Sequence, residues 1–337
     1  MLRRLVVFMG IFVALLSLAF AWLQGIYRKW LAQQTLRVTK EGHVAQTELG
    51  PVQYDMRGSG PVVLHSHGGN VGHNGWFMLE FLVEAGFTVL TPDRPGYLGT
   101  PLDDHSTPSA QADVFASLLD HLGVENVAIV GVSAGGPAAL SFAVRYPQRT
   151  QALVLMSAIS KQTQLSDDQL NSTLGKLVMT RRWQDPAYFL IYQAMHHLTA
   201  LTLQDFVRTE TTYDMPTGQR LIQQILADPT QRQQVFALAH AMVPALARYD
   251  GVMNDLDVQQ TMAELALDQI QAPALIVHSR YDGDVPYANA EYAHQHIPTS
   301  QLISVEQFGH MIWWGNPQVT RDFQQQIVQF LKAHIDT

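Results

Sequence analysis

Three patterns of apolar residues follow one another along the chain. The first is an uncharged, strongly apolar run over residues 5–27, bounded by Arg3 and Arg4 before it and by Arg28 and Lys29 after it. As a helix at 1.5 Å per residue it would reach about 35 Å, enough to cross a bilayer core of about 30 Å. No polar face interrupts the run, so it does not read as the helix of a soluble core. The second pattern alternates short apolar, β-branched segments with stretches of helical period. Strands are expected over 52–57, 62–67, 88–93, 127–132, 153–157, 274–279 and 302–305. A further hairpin strand is expected between 37 and 49, after a linker over 31–36. Helices are expected over 74–85, 109–122, 134–146, 287–296 and 316–334. Segments such as 127–132 and 274–278 are apolar throughout, as strands buried on both faces of a parallel sheet are. Strand–helix alternation of this kind predicts a doubly wound α/β sheet.

The third pattern fills 161–270, where only helical periodicity is found, rich in Gln, Leu, Ala and Met. So long a stretch is not a plain loop of a compact domain. It is expected to be a helical insertion over one edge of the sheet, with helices such as 186–198 and 218–226. The organisation is therefore an N-terminal segment 1–30, a first core part 37–160, a cap 161–270 and a second core part 271–337.

Composition narrows the function classes. The chain of 337 residues has a formal net charge of −8 and no long basic block, which leaves no electrostatic footprint for nucleic acid. It has no cysteine, which excludes thiol catalysis, thiolate metal sites and disulfides. The N-terminal run is either an uncleaved anchor or a signal peptide cut after Ala19-Phe20-Ala21. Apolar character continuing through Trp22, Leu23, Ile26 and Tyr27 favours the anchor. The basic residues balance on the two flanks, so orientation rests on the convention that a short N-terminus stays inside. That places the remaining chain outside the cytoplasm, tethered to the membrane, or secreted or periplasmic if the segment is removed.

Candidate chemistry centres on Gly131-Val132-Ser133-Ala134-Gly135. A five-residue pattern of two glycines and a serine is weak alone. Here an apolar strand precedes it and a helical stretch follows, so the serine sits in a sharp strand-to-helix turn. A hydroxyl needs a base, a group to orient that base, and donors for the oxyanion that forms. The loop after the strand over 62–67 supplies His67-Gly68-Gly69-Asn70. Its bare backbone admits close approach of a substrate oxygen. The N–H of Gly69, with Asn70 as the alternative, would pair with that of Ala134 as an oxyanion hole, and His67 would support the loop. His294 and His296, and His196 and His197, lack carboxylate partners at metal-site spacing, so no metal and no cofactor is expected. Trp313 and Trp314 either line a pocket or pack the last helix. Asn171-Ser172-Thr173 matches a glycosylation sequon.

From about residue 37 to the C-terminus, the chain resembles the α/β-hydrolase family. The matching pieces are His67-Gly68-Gly69, Asp93-Arg94-Pro95-Gly96-Tyr97, the turn at Ser133, His278 through Pro286, and Gly309-His310. The resemblance implies a mostly parallel eight-stranded sheet with helices on both faces and a helical cap between the sixth and seventh strands. It also implies a triad in chain order Ser, acid, His. The family pattern H-G-x-x-D-x-x-V-P places the acid at Asp282, with Ser279 standing where glycine is usual and Asp284 as the alternative. The base is then His310. The function so implied is a serine hydrolase acting through an acyl-enzyme, with a small or medium hydrophobic carboxylic ester as substrate. Amide or carbon–carbon hydrolysis, acyl transfer to another acceptor, and a tethered binding protein on an inactive scaffold are the alternatives. The oligomeric state is left open.

Overall fold

The computed structural model describes residues 2–164, 179–306 and 309–335. The sequon at Asn171 lies outside them. Two compact units are present, 1–40 and 41–337.

The first unit is a single helix, α1 (Leu2–Lys40). The linker expected over 31–36 is therefore helical. Trp30 to Lys40 contains no glycine or proline, and its Leu, Ala, Gln and Arg residues propagate a helix that has already nucleated. By length and composition, 7–40 is apolar enough to cross a membrane. Such a helix near the N-terminus is a candidate membrane anchor or signal sequence.

The second unit is built on eight strands: β1 (His43–Thr47), β2 (Gly50–Gly58), β3 (Val62–Ser66), β4 (Thr88–Pro92), β5 (Val127–Val132), β6 (Thr150–Met156), β7 (Ala274–Ser279) and β8 (Ser300–Val305). They lie in the order β1-β2-β4-β3-β5-β6-β7-β8. Pairings of β1 with β2 and of β2 with β4 are antiparallel. The remaining pairings are parallel. Every residue of β5 and of β7 is buried, whereas β1 and β8 at the edges are partly exposed. The apolar runs follow from this placement, because successive side chains enter opposite cores. On one face Val63, Val89, Val130, Val154 and Val277 pack with Leu79, Leu82 and the C-terminal helix residues Phe323, Ile327 and Leu331. On the other, Leu64, Leu90, Ile129, Leu155 and Ile276 pack against Phe115, Leu119, Leu140, Phe142 and Ala293.

The helix expected over 74–85 is instead a 3-10 segment, His73–Leu79, followed by the short α2 (Glu80–Glu84). Its start is tightened where the His73 N–H donates to Asp93 Oδ1 at 2.5 Å. The helices α3 (Pro108–Leu122) and α4 (Gly136–Arg145) follow. Thr107 caps α3 by accepting from the Ala110 N–H, and Gly123 ends it in the left-handed region. Between β6 and β7 run α5 (Gln184–His197), α6 (Thr199–Glu210), α7 (Met215–Ala227), α8 (Pro229–Ala241) and α9 (Tyr249–Thr261). Leu203, Leu221, Ile225 and Val235 of this insertion join the first core. The chain closes with α10 (Ala288–His296) and α11 (Pro317–His334).

The topology directs attention to one place. From β3 the chain moves outward to β4, and then returns to put β5 on the opposite side of β3. The carboxyl ends of β3 and β5 therefore flank the crevice where the winding reverses, the usual location of a site in an open α/β sheet.

Candidate active site

Ser133 follows the last residue of β5 with φ of 51°, in the left-handed region that non-glycine residues rarely enter. Its neighbours explain how the turn closes. A Cβ at Gly131 would stand 2.8 Å from the Ala139 Cβ, and one at Gly135 would stand 2.1 Å from the Ser66 carbonyl oxygen. Only bare backbone lets α4 begin this close to the ends of β5 and β3. The Ser66 hydroxyl fastens the contact by donating to the Gly135 carbonyl at 2.7 Å.

Three side chains from separate loops converge at this turn. His310 Nε2 lies 2.9 Å from Ser133 Oγ. On the other edge of the ring, His310 Nδ1 lies 2.9 Å from Asp282 Oδ2 and 3.1 Å from Oδ1. Asp282 is itself held: Oδ1 accepts the N–H groups of Asp284 at 3.0 Å and Val285 at 2.8 Å, and His278 Nε2 stands 3.1 Å from Oδ2. Burial alone would raise the Asp282 carboxyl. The opposing charge of His310 and hydrogen bonds from His278 and His310 outweigh it and hold the group down at about 2. For His310 burial acts downward, but the Asp282 charge and hydrogen bond, followed by the charges of Asp284 and Glu210, raise it above its ordinary value. Asp284 occupies a different position from Asp282. Its Oδ2 is 3.6 Å from Nε2, the nitrogen that faces Ser133, and its side chain is partly exposed.

On the β3 side, Gly68 lies against the serine, since a Cβ built on it would stand 3.2 Å from the Ser133 Cβ. Gly69 follows it into open space, with the Asp255 carboxylate 4.0 Å from its Cβ position. Ala134 is the first residue past the serine, inside the 3-10 turn Ser133–Gly135. His67 is fully buried beneath the loop. Its Nε2 accepts the Arg94 backbone N–H at 3.0 Å, so the ring proton sits on Nδ1, which donates to the Gly68 carbonyl at 2.7 Å. Burial and the nearby Arg94 charge hold His67 well below the usual histidine range, keeping it neutral.

Glu210 at the end of α6 has no signal in the sequence. Its carbonyl accepts the N–H groups of His310 at 2.8 Å and Gly283 at 3.1 Å, tying both loops of the site to the insertion. Gly309 permits this, because a Cβ there would meet that carbonyl at 2.2 Å. Burial and the charge of Asp284 push the Glu210 carboxyl up to about 8. Ligand atoms of Glu210, Asp284 and His310 lie within 4.8 Å of one another, but a cation there would take Nε2 from Ser133. Elsewhere, Trp313 is buried and donates to the Met78 carbonyl at 3.0 Å. Trp314 lines a small apolar cavity with Phe206, Glu210 and Met311. His196 and His296 are exposed and bond carbonyls one helical turn back.

The sequence model of the alpha/beta hydrolase fold matches residues 60–317. The chain belongs to the α/β-hydrolase family. Among solved structures, the alpha/beta hydrolase fold protein from Nakamurella multipartita is 29% identical with a TM-score of 0.74, the match covering 87% of this chain and 99% of that one. The uncharacterized hydrolase YcgS of Bacillus subtilis (strain 168) is 29% identical over 266 residues, 79% of this chain and 90% of its own length. A 2-hydroxy-6-oxo-2,4-heptadienoate hydrolase of Pseudomonas putida is 27% identical over 285 residues, 83% of this chain and 92% of its own. As a member of this family the chain is a hydrolase of the α/β fold.

Proposed function

We propose that this hydrolase cleaves small or medium hydrophobic carboxylic esters through an acyl-serine intermediate. One observation carries the reading: Ser133, His310 and Asp282 form an unbroken hydrogen-bonded line with His310 at 2.9 Å from each partner. His310 takes the Ser133 proton as Oγ attacks the ester carbonyl. The Gly69 and Ala134 N–H groups receive the oxyanion. Collapse breaks the C–O bond, and the imidazolium returns the proton to the departing alkoxide. Water, deprotonated by His310, then attacks the acyl-serine and releases the acid, and the proton passes back to Ser133. Asp282 keeps Nδ1 protonated and stabilises the imidazolium. Asp284 is not the orienting acid in this scheme. The test is a panel of p-nitrophenyl esters from acetate to decanoate, with burst kinetics to detect the acyl-enzyme. Turnover of the shorter esters with a burst supports the reading, whereas no turnover of any ester removes it.

A second reading, hydrolysis of a carbon–carbon bond next to a ketone, is supported by the Pseudomonas putida relative and its coverage of both chains. It uses the same triad, and release of acid from a 2-hydroxy-6-oxo-dienoate in preference to esters would establish it.

In either reading the neutral imidazole is the active form, so activity is lost as pH falls through the His310 pKa. The Asp284 carboxylate favours the imidazolium from 3.6 Å. At the dielectric of water, fitting for a partly exposed group, that interaction is worth about 1 kcal/mol, or roughly 0.8 pH unit. Asp284→Asn is therefore expected to move the acid limb of the kcat/KM profile to lower pH by up to about that amount. An unmoved limb would separate Asp284 from the base.

We also propose that α1 remains as a membrane anchor with the hydrolase outside the cytoplasm. Membrane-fraction protein of full mass, with the hydrolase open to added protease in intact spheroplasts, is the expected result. Loss of residues 1–21 from the mature chain would replace the anchor with a cleaved signal.

A further inference from the structure

The loop of residues 67–71 carries the Gly68-Gly69 pair beside Ser133, and the insertion grips this loop at three points. At its start, Asp255 of α9 receives both terminal nitrogens of Arg94 at 2.6 Å each and the Tyr97 hydroxyl at 2.5 Å. Arg94 in turn donates its Nε–H to the His67 carbonyl at 2.8 Å and its backbone N–H to the His67 ring at 3.0 Å. In the middle, the Tyr188 hydroxyl of α5 donates to Asn70 Oδ1 at 2.9 Å, on a residue with φ of 62°. At the far end, Arg248 donates its Nε–H to the Val71 carbonyl at 3.0 Å. Two backbone bonds fix the register of the same face, Leu98 N–H to the Ala247 carbonyl at 2.7 Å and Gly251 N–H to the Gly96 carbonyl at 2.9 Å. His67, Arg94, Arg248 and Asp255 are all buried.

This is an expensive way to close a cover. A buried ion pair contributes little net stability, and apolar packing would hold a lid as well. A glycine pair, however, is the least self-organised backbone available, and an oxyanion donor acts only when aimed in advance. We infer that Asp255, Arg248 and Tyr188 are positioning residues for the hydrolysis, shaping residues 67–71 so that the Gly69 N–H meets the oxyanion. The inference rests on the acyl-transfer reading above. Asp255 acts through Arg94 and His67, Tyr188 through Asn70, and Arg248 through Val71. On this face the insertion belongs to the apparatus that stabilises the transition state.

The test uses the full-length chain, p-nitrophenyl butyrate as substrate, and a fluorophosphonate to count active sites. Losing one oxyanion donor outright costs about 10²–10³ in kcat, so a donor shifted but present should cost less. Asp255→Asn is expected to lower kcat per active site about 30-fold, and Tyr188→Phe about threefold, with KM within about twofold. A trifluoromethyl ketone, which forms the tetrahedral oxyanion on Ser133, should lose affinity by the same factors, while its non-electrophilic alcohol analogue binds unchanged. A purely structural role would lower the melting temperature and leave kcat per site and ketone affinity alone, and that result overturns the inference. If Asp255→Asn does not fold, Tyr188→Phe, which removes one hydroxyl, decides by the same two readouts. A wild-type chain that is neither labelled nor active removes the acyl-transfer reading itself, and this inference falls with it. Labelled wild type beside unaffected variants removes the inference alone.

Discussion

Ser133→Ala is expected to lower kcat by about 10⁶-fold and to abolish fluorophosphonate labelling, while the chain stays folded. The magnitude follows from the chemistry being removed. Without Oγ no covalent intermediate forms, and His310 has no proton to take. Rate enhancement of about 10³–10⁴ over water from binding and the oxyanion donors would survive. The substitution is also mild for the fold. Ser133 is only partly exposed at the mouth of the turn, and its hydroxyl has His310 as partner. Alanine keeps the Cβ that already tolerates φ of 51°. Labelling of the alanine variant at the wild-type rate would place the nucleophile elsewhere.

Asp282→Asn carries the second largest effect, about 10⁴-fold in kcat. The amide keeps the shape of the carboxylate but offers an N–H where Oδ2 now accepts from His310 Nδ1. The imidazole is then driven toward the tautomer with its proton on Nε2, which cannot accept from Ser133. The charge that stabilises the imidazolium is lost as well. His278 Nε2, 3.1 Å from Oδ2, would lose the charge it faces and keep only the Val285 carbonyl at 2.9 Å, so some loss of stability should accompany the loss of rate. Asp284→Asn is expected to stay within about tenfold of wild type, because Asp284 stands on the opposite nitrogen. Equal losses at the two positions would mean that the acid role is shared.

Much of the architecture was legible in the chain itself, and for a definite reason. Strands buried on both faces must be apolar at every position, so β5 and β7 stand out against helices of 3.6 period. The turn at Ser133 was legible because two contacts forbid a Cβ, and glycine is the only residue without one. The expectation of Ser133, an acid and His310 in that chain order came from a family resemblance carried by short motifs at strand ends. Where expectation failed, local signals were weak or tertiary forces intervened. The polar stretch over 31–36 contains good helix formers and simply continues α1. The segment over 74–85 is tightened at its start by Asp93, twenty residues on in the chain.

Local pattern also kept Asp284 open as an alternative to Asp282, since both sit in one turn two residues apart. The structure distinguishes them, because orientation depends on which ring nitrogen each oxygen reaches, and that depends on how β7 and β8 present their loops. The same holds for Glu210 and Asp255. Each is one acidic residue among many in a helical stretch with no strand and no motif, and nothing around it in sequence hints at a partner. Glu210 gains its place when α6 delivers its last carbonyl to the N–H groups of His310 and Gly283. Asp255 gains its place when α9 meets Arg94, 161 residues earlier in the chain. Backbone constraints leave their mark on the residues that bear them, so the sequence by itself determined the sheet and the turn that carries Ser133. Long-range pairing leaves no such mark, so only the tertiary structure decided how the helical insertion holds the site.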